Sequence, residues 1–330
     1  MPTLLPVIRA SGLRKQYGEV KALDGLDLEV REGTVFGLLG PNGAGKTTTV
    51  KILTTLERAD QGQASVLSLD VARDPAKVRA AIGYVPQELS ADRYLTAREG
   101  LDFFARLYHL GAEARKKRVA ELLELVDLTA AADRQVRTYS GGMKKKLDLA
   151  CGLIHEPKVL FLDEPTLGLD VESRRAVWDH VASLRSRGTT VILCTNDMAE
   201  ADRLCDEIAI LDRGKVVIQG TPADLRAGLG GDVVVIEPQD PDQVDAAERA
   251  LASLDFVRES WREGHALYIG VARNETALPL LLDALKKFDV AVASVAYRRP
   301  DLAEVFVKHA GRRFAEADRE GIPKPATRRK

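Results

Sequence analysis

The stretch that decides the fold is Gly40-Pro41-Asn42-Gly43-Ala44-Gly45-Lys46-Thr47, which fits the pattern G-x-x-x-x-G-K-[ST]. A short apolar run, residues 34–39, precedes it, and apolar residues at helical spacing follow it. Glycines let a backbone wrap closely around a phosphate, so that N–H groups at the start of the helix face the anion. Lys46 is expected to reach the β- and γ-phosphates of a nucleotide, and the Thr47 hydroxyl to hold Mg²⁺. The alternative is a Gly-rich turn that only caps a helix.

A second candidate segment is Val159-Leu160-Phe161-Leu162-Asp163-Glu164, an apolar run that ends in two carboxylates. A buried strand of this kind delivers its last side chains to the carboxyl edge of a sheet, where open α/β sheets bind ligands. Asp163 is expected to hold Mg²⁺ through a water, and Glu164 to polarise the attacking water. A solvated strand end is the alternative, and the phosphate loop upstream favours the catalytic interpretation.

The composition is that of an ordinary globular chain. Its 330 residues are 45% hydrophobic and 29% charged, and the formal net charge is -1. This balance gives no general attraction to nucleic acid or anionic lipid, and no run approaches the roughly 20 apolar residues that span a bilayer. The N-terminus lacks the pattern of a signal peptide, and the cysteines, Cys151, Cys194 and Cys205, are predicted to be reduced core residues. We therefore expect a cytoplasmic protein that binds no nucleic acid, does not insert into the membrane and reaches it only by docking on a partner.

Short apolar strands alternate with helices up to about residue 228, which predicts a parallel sheet covered on both faces. The expected packing positions of the helices are Val50, Leu53, Leu56, Phe103, Phe104, Leu107, Leu122, Leu123 and Val126.

After the glycines at 228, 230 and 231, the predicted order becomes β-α-β-β-α-β, which is the order of a ferredoxin-like unit. The sequence thus predicts a nucleotide-binding domain over 1–228, with a helical subdomain at about 88–155. An accessory or dimerisation domain is predicted over 229–310, and a disordered tail over 311–330. A passive spacer is the alternative for the second domain.

The segment Tyr139-Ser140-Gly141-Gly142-Met143 narrows the choice among nucleotide-binding folds. Ser140 suits a helix N-cap, and two glycines let a backbone approach a phosphate. The segment resembles the signature motif of ATP-binding cassette (ABC) proteins, with Met143 where many members have Gln. The resemblance implies an α/β fold: a P-loop NTPase cassette with a mixed sheet and a helical subdomain, followed by a small α+β domain. A simple N-cap is the alternative, which the order of the motifs disfavours.

The remaining motifs of the family occur in order along the chain. The resemblance implies that Tyr17 stacks on adenine, that Gln87 contacts Mg²⁺ and links the site to a membrane partner, and that Asp170 acts across a dimer. In this family two cassettes sandwich two ATP molecules, each between one phosphate loop and the other subunit's Ser140 segment. One set of motifs in this chain therefore implies an ATP-sandwich homodimer. A half-buried strand tyrosine is the alternative for Tyr17.

The resemblance places ATP and Mg²⁺ in this site and assigns three sets of residues to it. The predicted catalytic residues are Glu164, Lys46, Gln87 and Asn196, and the predicted metal ligands are Thr47, Gln87 and Asp163. The predicted nucleotide-binding residues are Tyr17, Gly40, Pro41, Asn42, Gly43, Ala44, Gly45, Lys46, Thr47, Thr48, Ser140, Gly141, Gly142 and Asp170.

Asn196 departs from the family pattern, because the position usually holds a switch histidine. Asparagine can donate a hydrogen bond but cannot carry charge. We therefore expect weak but real ATPase activity, since Glu164 is intact. The local alternative is that Asp197 and Glu200 form a capping box for the next helix.

Several stretches resemble the drug-export branch, the daunorubicin-resistance-type (ABC-2) subunits that pair with a separate membrane permease. Among them are Leu101-Asp102-Phe103-Phe104 and Asp301-Leu302-Ala303-Glu304-Val305-Phe306. The resemblance implies a Mg²⁺-dependent ATPase, peripheral on the inner face of the cell membrane, that energises export of a hydrophobic drug or lipid-like molecule through a separately encoded transmembrane permease. The alternatives are a nucleotide-gated module with little hydrolysis and a soluble ATPase that acts on ribosomes or DNA. Two basic runs, residues 115–118 and 144–146, are predicted to be solvated helix faces.

Overall fold

The structure is a computed structural model that describes residues 6–88, 90–252, 254–271, 274–298, 301–311 and 314. The chain divides into two compact units, Met1–Val216 and Val217–Lys330. The domain boundary at residue 228 remains a prediction, and the predicted tail over 311–330 lies outside the described residues except for Gly311 and Phe314. Within the described ranges, no helix combines the length and the apolar character that crossing a membrane requires.

The described part of the chain up to Gly220 contains the strands β1 to β10. They are β1 (Pro6–Tyr17), β2 (Val20–Arg31), β3 (Val35–Leu39), β4 (Gln61–Val66), β5 (Leu69–Asp70), β6 (Ile82–Val85), β7 (Val159–Asp163), β8 (Thr190–Thr195), β9 (Glu207–Asp212) and β10 (Lys215–Gly220). Its helices are α1 (Lys46–Leu53), α2 (Pro75–Ala81), α3 (Ala97–Leu107), α4 (Ala112–Leu125), α5 (Gly141–Gly152), α6 (Val171–Ser186) and α7 (Met198–Leu204).

These strands form two sheets. An antiparallel sheet has the order β2-β1-β4-β5, and a second sheet has the order β10-β9-β3-β8-β7-β6. In the second sheet, β3, β6, β7, β8 and β9 run parallel to one another. Every residue of β3, β7 and β8 is buried, as apolar strands covered on both faces should be. The predicted mixed α/β architecture is confirmed.

Helices α3, α4 and α5 contact one another, within the range predicted for the helical subdomain. Three predicted packing positions are wrong, because the side chains are more than half exposed: Leu56, Phe103 and Leu107. Leu56 lies beyond the end of helix α1 at Leu53, so it is not part of the buried face of that helix. Helix α3 buries Leu101 and Ala105 instead, and its two exposed side chains lie about 200° around the axis from these positions.

In the described part of the second unit, the α-helices and strands follow the order α-β-α-β-β-α-β-α. They are α8 (Pro222–Ala227), β11 (Asp232–Pro238), α9 (Val244–Ala252), β12 (Val257–Glu263), β13 (Ala266–Val271), α10 (Asn274–Lys287), β14 (Val292–Arg298) and α11 (Leu302–Ala310). The sheet is antiparallel with the order β12-β13-β11-β14, and α9 and α10 cover one face around Ile236, Leu251, Ile269 and Leu281. The predicted β-α-β-β-α-β order is therefore confirmed.

Candidate functional site

Three loops that carry candidate residues leave the carboxyl ends of neighbouring parallel strands. Strand β8 lies between β3 and β7, and the register pairs Leu39 with Thr195 and Asp163 with Cys194. The phosphate loop after β3, the loop after β7 and the loop after β8 therefore begin side by side. This is the edge at which open α/β sheets bind ligands.

The end of the phosphate loop is closely packed. Gly45 precedes α1 with φ 110°, and a Cβ atom there would lie 2.7 Å from the carbonyl oxygen of Ala22. Only glycine fits this backbone and this space. Lys46, the first residue of α1, is 5% exposed, and its ammonium donates to the carbonyl oxygens of Gly40 at 2.6 Å and Pro41 at 3.2 Å. The lysine therefore lies against its own loop.

Thr47 and Asp163 bring two oxygen atoms together next to this loop. The Thr47 hydroxyl donates to Oδ1 of Asp163 at 3.4 Å, and Asp163 is buried. Burial raises the pKa of the Asp163 carboxyl, while the Thr47 hydrogen bond and the Lys46 charge act in the opposite direction. A hydroxyl beside a carboxylate is a ligand pair that suits Mg²⁺, which prefers oxygen.

Glu164 lies beside Lys46, with Oε1 3.5 Å from the ammonium nitrogen. Its φ of 50° is in the left-handed region, a conformation that costs about 1–3 kcal/mol and clusters at functional sites. Its backbone N–H donates to the Cys194 carbonyl oxygen at 2.8 Å, and its carboxylate accepts the backbone N–H of Asn196. Burial raises the pKa of the Glu164 carboxyl, and Lys46 and the Asn196 hydrogen bond lower it. The neighbouring strand thus fixes this buried carboxylate in place.

The capping box predicted after Asn196 forms only in part. Asp197 does cap helix α7, because its carboxylate accepts the backbone N–H of Glu200 at 3.1 Å. A capping box also needs a hydrogen bond from the Asp197 backbone N–H to the Glu200 carboxylate. In this described turn the Asp197 N–H donates to the Thr195 hydroxyl at 2.9 Å instead. The Glu200 side chain turns into the core, where it is fully buried. The capping-box prediction is therefore wrong for Glu200.

Glu200 is a buried residue whose role the sequence did not reveal. Its Oε1 accepts the Thr166 hydroxyl at 2.7 Å and the Trp178 indole N–H at 2.9 Å. Thr166 lies two residues after Glu164, and Trp178 belongs to α6. Burial raises the pKa of the Glu200 carboxyl, which these hydrogen bonds oppose. The carboxylate joins the loop after β7 to α6 and α7, and no sequence spacing marks such a three-way contact.

Tyr17 ends strand β1 and is 42% exposed, which fits both the predicted stacking residue and the half-buried strand tyrosine of the alternative interpretation. Its hydroxyl is hydrogen-bonded to the Glu57 carboxylate and to the Thr48 hydroxyl. Burial and the Glu57 carboxylate raise the pKa of Tyr17 to about 12. The exposed ring is therefore held next to the start of α1, where the phosphate loop ends.

The segment that begins α5 has an exposed part and a packed part. Ser140 caps the helix by accepting the N–H of Met143 at 3.2 Å, as predicted. Ser140 and Gly141 are exposed, whereas Gly142 is buried. A Cβ atom on Gly142 would lie 2.4 Å from the Ser173 Oγ atom of helix α6. Gly142 is therefore required by helix packing, which is a reason that the sequence did not supply.

Within the described residues, Asp170 and Gln87 share no hydrogen bond or ion pair with the Lys46 cluster. Asp170 caps α6, because its carboxylate accepts both the N–H and the hydroxyl of Ser173 at 2.8 Å, and these bonds lower its pKa. Gln87 follows β6 and is exposed, and within the described residues its side chain makes no hydrogen bond. The structure thus brings Lys46, Thr47, Asp163 and Glu164 together through described contacts, and no described contact joins Asp170 or Gln87 to them.

Both basic runs differ in part from their predictions. Lys116 and Lys117 are solvated as predicted, with side chains 76% and 81% exposed, but the predicted solvated face is wrong for Arg115 and Arg118, whose side chains are 17% and 18% exposed. In the second run, Lys145 donates from its ammonium to the Gln87 carbonyl oxygen at 2.6 Å, and burial lowers its pKa. The prediction of a solvated face is therefore wrong for Lys145. Asp148, one turn later, is a second buried residue that the sequence did not single out.

Comparison with known proteins identifies the family. The model of the ABC transporter family matches residues 23–167. The chain is 45% identical over 307 residues to the daunorubicin resistance ATP-binding protein DrrA2 of Streptomyces coeruleorubidus, covering 93% of this chain and 95% of the relative. It is 42% identical over 308 residues to the doxorubicin resistance ATP-binding protein DrrA of Mycobacterium tuberculosis, covering 90% of this chain and 91% of the relative.

A solved structure gives the same result for the fold. A dimeric ATP-binding cassette in a post-hydrolysis state, bound to ADP and phosphate, superposes with a TM-score of 0.60 at 25% identity. The match covers 65% of this chain and 98% of the solved chain. Members of this family bind and hydrolyse ATP, and the site at the ends of β3, β7 and β8 has the side chains for it. The chain belongs to the ATP-binding subunits of ABC transporters, in the branch of the daunorubicin- and doxorubicin-resistance proteins.

Proposed function

We propose that this chain is the Mg²⁺-dependent ATPase subunit of an exporter, and that it energises export of a hydrophobic drug or lipid-like molecule through a separately encoded membrane permease. The observation that carries the proposal is the convergence of Lys46, Thr47, Asp163 and Glu164 at one sheet edge. A phosphate-binding cation, two metal-type oxygens and a buried carboxylate are the parts that phosphoryl transfer to water requires.

The side chains present fit Mg²⁺. The Thr47 hydroxyl and the Asp163 carboxylate lie 3.4 Å apart and are both oxygen ligands, and the exposed Gln87 amide is the third ligand that we propose. Mg²⁺ held by these residues would neutralise charge that develops on the β- and γ-phosphate oxygens.

Glu164 is the residue that we propose orients and polarises the attacking water. Its side chain is 9% exposed, and the Asn196 backbone N–H donates a hydrogen bond to the carboxylate. Lys46 and the loop N–H groups stabilise the charge on the transferred phosphoryl group, which is the larger part of catalysis in such reactions. The Asn196 side chain can donate a hydrogen bond to the γ-phosphate but adds no positive charge, so we expect slow turnover.

A second copy of the chain completes the site in this proposal. Ser140 and Gly141 are exposed at the start of α5, and Asp170 is exposed at the start of α6. Neither helix start is bonded to the phosphate loop of its own chain within the described residues. An ATP sandwich between two copies would use these surfaces, with Tyr17 and Thr48 of each copy next to the adenine and the phosphates. The dimeric state of the solved cassette supports this arrangement.

Export is supported by the relatives, whose names record daunorubicin and doxorubicin resistance. Because these relatives are named ATP-binding proteins, we assign the transport path to a separate permease and propose that the chain lies at the inner face of the cell membrane. We propose that residues 1–228 form the nucleotide-binding domain, with its helical subdomain at about 88–155. Residues 229–310 are proposed to support the dimer or to regulate it.

A nucleotide-gated module with little hydrolysis is the second candidate, and Asn196 is the observation that favours it. A site that binds ATP but turns over slowly would still close and open a dimer. Single-turnover hydrolysis with and without the permease separates the two functions, because a gated module stays slow in the complex.

The test of the proposed function is Mg²⁺-dependent ATP hydrolysis by the purified chain beside Lys46→Ala and Glu164→Gln. We expect both variants to lose turnover, with ATP binding retained in Glu164→Gln and lost in Lys46→Ala. Activity that survives both substitutions would overturn the site assignment. Co-purification with a permease then tests the export role.

A further inference from the structure

The segment after strand β6 is fastened to helix α5 at two points. The Lys145 ammonium donates to the carbonyl oxygens of Gln87 at 2.6 Å and Pro86 at 3.4 Å. Oδ1 of Asp148 accepts the backbone N–H of Ser90 at 2.9 Å. Positions three apart lie on one face of a helix, so one face of α5 holds the backbone at Gln87 and again three residues later.

Asp148 is buried where it makes its contact, and Lys145 is partly buried. Asp148 is 1% exposed, and burial raises the pKa of its carboxyl to about 6. Burial lowers the pKa of Lys145, while the charges of Asp148 and Asp163 raise it. Buried charges are costly unless they are bonded, so the contact of Asp148 with the Ser90 N–H is needed to keep this carboxylate in the protein interior.

The same helix begins at the exposed Ser140 cap. Lys145 is five residues further on, which is about 7.5 Å along a rigid α-helix. A displacement of the Ser140 end would therefore reach the Gln87 carbonyl through the helix and one side chain. No other hydrogen bond from α5 to residues 86–88 is present in the described part of the chain.

We propose that Lys145 and Asp148 are positioning residues for Gln87, which couple the Ser140 end of α5 to the segment that presents Gln87 to the metal site. The proposal rests on the proposed function, in which Gln87 contacts Mg²⁺ and Ser140 faces the nucleotide of the partner subunit. Neither positioning residue needs to touch nucleotide or metal. Loss of Lys145 should leave the fold intact but let the Gln87 backbone move.

The first experiment measures ATPase activity of the full chain against Mg²⁺ concentration in Lys145→Met, which keeps the length of the side chain and removes its donor. The Mg²⁺ concentration for half-maximal activity should rise about tenfold, the range seen when a residue that orients a metal ligand is removed. The thermal midpoint should stay within about 2 °C, because a partly exposed side chain is lost without a cavity. Lys145→Arg should restore the Mg²⁺ response. Lys144→Met is the matched control. Lys144 is the neighbouring residue on α5, and no described hydrogen bond joins it to the Gln87 segment.

A cycle with Gln87→Ala tests whether Lys145 acts through Gln87. In the Gln87→Ala background, Lys145→Met should have no further effect on the Mg²⁺ response. An equal effect in both backgrounds, or a Lys145→Met variant that behaves like Lys144→Met, would overturn the proposal. If Lys46→Ala loses turnover while Lys145→Met does not change the Mg²⁺ response, only this inference fails, and the proposed function stands.

Hydrogen exchange gives a readout that does not depend on activity. In ATP-free protein, Asp148→Ala should speed exchange of the Ser90 amide at least about threefold, because the acceptor of that N–H is removed. Asp148→Asn keeps an acceptor and should be close to the unsubstituted chain. Unchanged exchange in Asp148→Ala would show that Asp148 does not hold this segment.

Discussion

The ammonium of Lys46 lies 3.5 Å from the carboxylate of Glu164, and the two side chains are 5% and 9% exposed. The cation proposed to bind the γ-phosphate and the carboxylate proposed to polarise the water thus neutralise each other. A phosphate group is a charged competitor for the lysine. We infer that nucleotide binding exchanges one anionic partner of Lys46 for another and leaves Glu164 directed to the water.

This pairing predicts a measurable coupling in the ATP-free protein. Lys46→Ala should lower the free energy of unfolding by about 3–5 kcal/mol, since removal of one partner leaves a buried charge without compensation. Lys46→Ala with Glu164→Gln should lose less than the sum of the single variants, by about 1–3 kcal/mol. Urea unfolding without nucleotide measures both values, and Lys51→Ala, exposed on the same helix, is the control. If the losses of the two single variants add strictly, the contact between Lys46 and Glu164 does not contribute to the free energy of unfolding.

Asn196→His is expected to raise turnover. Histidine adds reach and a charge that asparagine lacks, and a positioned proton donor or acceptor contributes about 10²–10⁴-fold in other enzymes. We expect at least a severalfold increase in kcat in the assembled complex with the permease. The backbone N–H that holds Glu164 is kept by any residue at this position, so Asn196→Ala serves as the control for loss of the side chain alone. Unchanged turnover in Asn196→His would show that this position does not limit hydrolysis.

Gly142→Ala is expected to destabilise the protein through a clash between helices. Its Cβ atom would lie 2.4 Å from Ser173 Oγ and 2.7 Å from Ser173 Cβ, and overpacking of this kind costs about 1–3 kcal/mol. Ser173→Gly in the same chain should recover part of the loss. Gly141→Ala is the matched control, since its Cβ atom would meet only Leu169 Cδ2, at 3.4 Å. If Gly142→Ala unfolds like the unsubstituted chain but loses ATPase activity, the glycine serves ligand approach and not packing.

The phosphate site could be predicted from the sequence because its parts follow buried strands directly. Lys46, Asp163 and Glu164 are placed by their own strand ends, so the apolar runs before them were enough to put them at one edge. Residues whose partners lie far away along the sequence could not be predicted in this way. Glu200 and Lys145 meet partners 34 and 58 residues away, and neither a period nor a spacing in the sequence records such a contact.

The errors on helices have a similar cause. Leu56, Phe103 and Leu107 are apolar, and apolar character alone assigned them to the core. Which face of α3 is buried depends on where α5 packs against it, and that is set by the tertiary structure and not by the residues of α3. In the second unit, each strand and helix could be identified from its own residues, so the element order was predictable without knowledge of the packing.

The buried carboxyl of Glu304 in α11 predicts a pH-dependent stability of the second unit. Glu304 is 1% exposed, and it accepts a hydrogen bond from Arg298 at 3.0 Å. Burial, followed by the neighbouring Asp301, raises its pKa from 4.5 to about 7, which Arg298 opposes. Between these two pH values the folded chain keeps a proton that the unfolded chain has released. The contribution of Glu304 to the free energy of unfolding should therefore be largest below about pH 4.5. It should fall as the pH rises to about 7.

Glu304→Gln, which imitates the protonated carboxyl, should remove this slope, an effect on the order of 1–3 kcal/mol between pH 5 and pH 8. The chain has two tryptophans, so urea unfolding in a Trp178→Phe background reports on Trp261 of the second unit alone. Glu259→Gln is the control, because that carboxylate is 42% exposed and should leave the slope unchanged. If Glu304→Gln keeps the full pH dependence, the proton taken up on folding belongs to another group, and the buried Glu304 must be ionised and stabilised by Arg298 throughout this range.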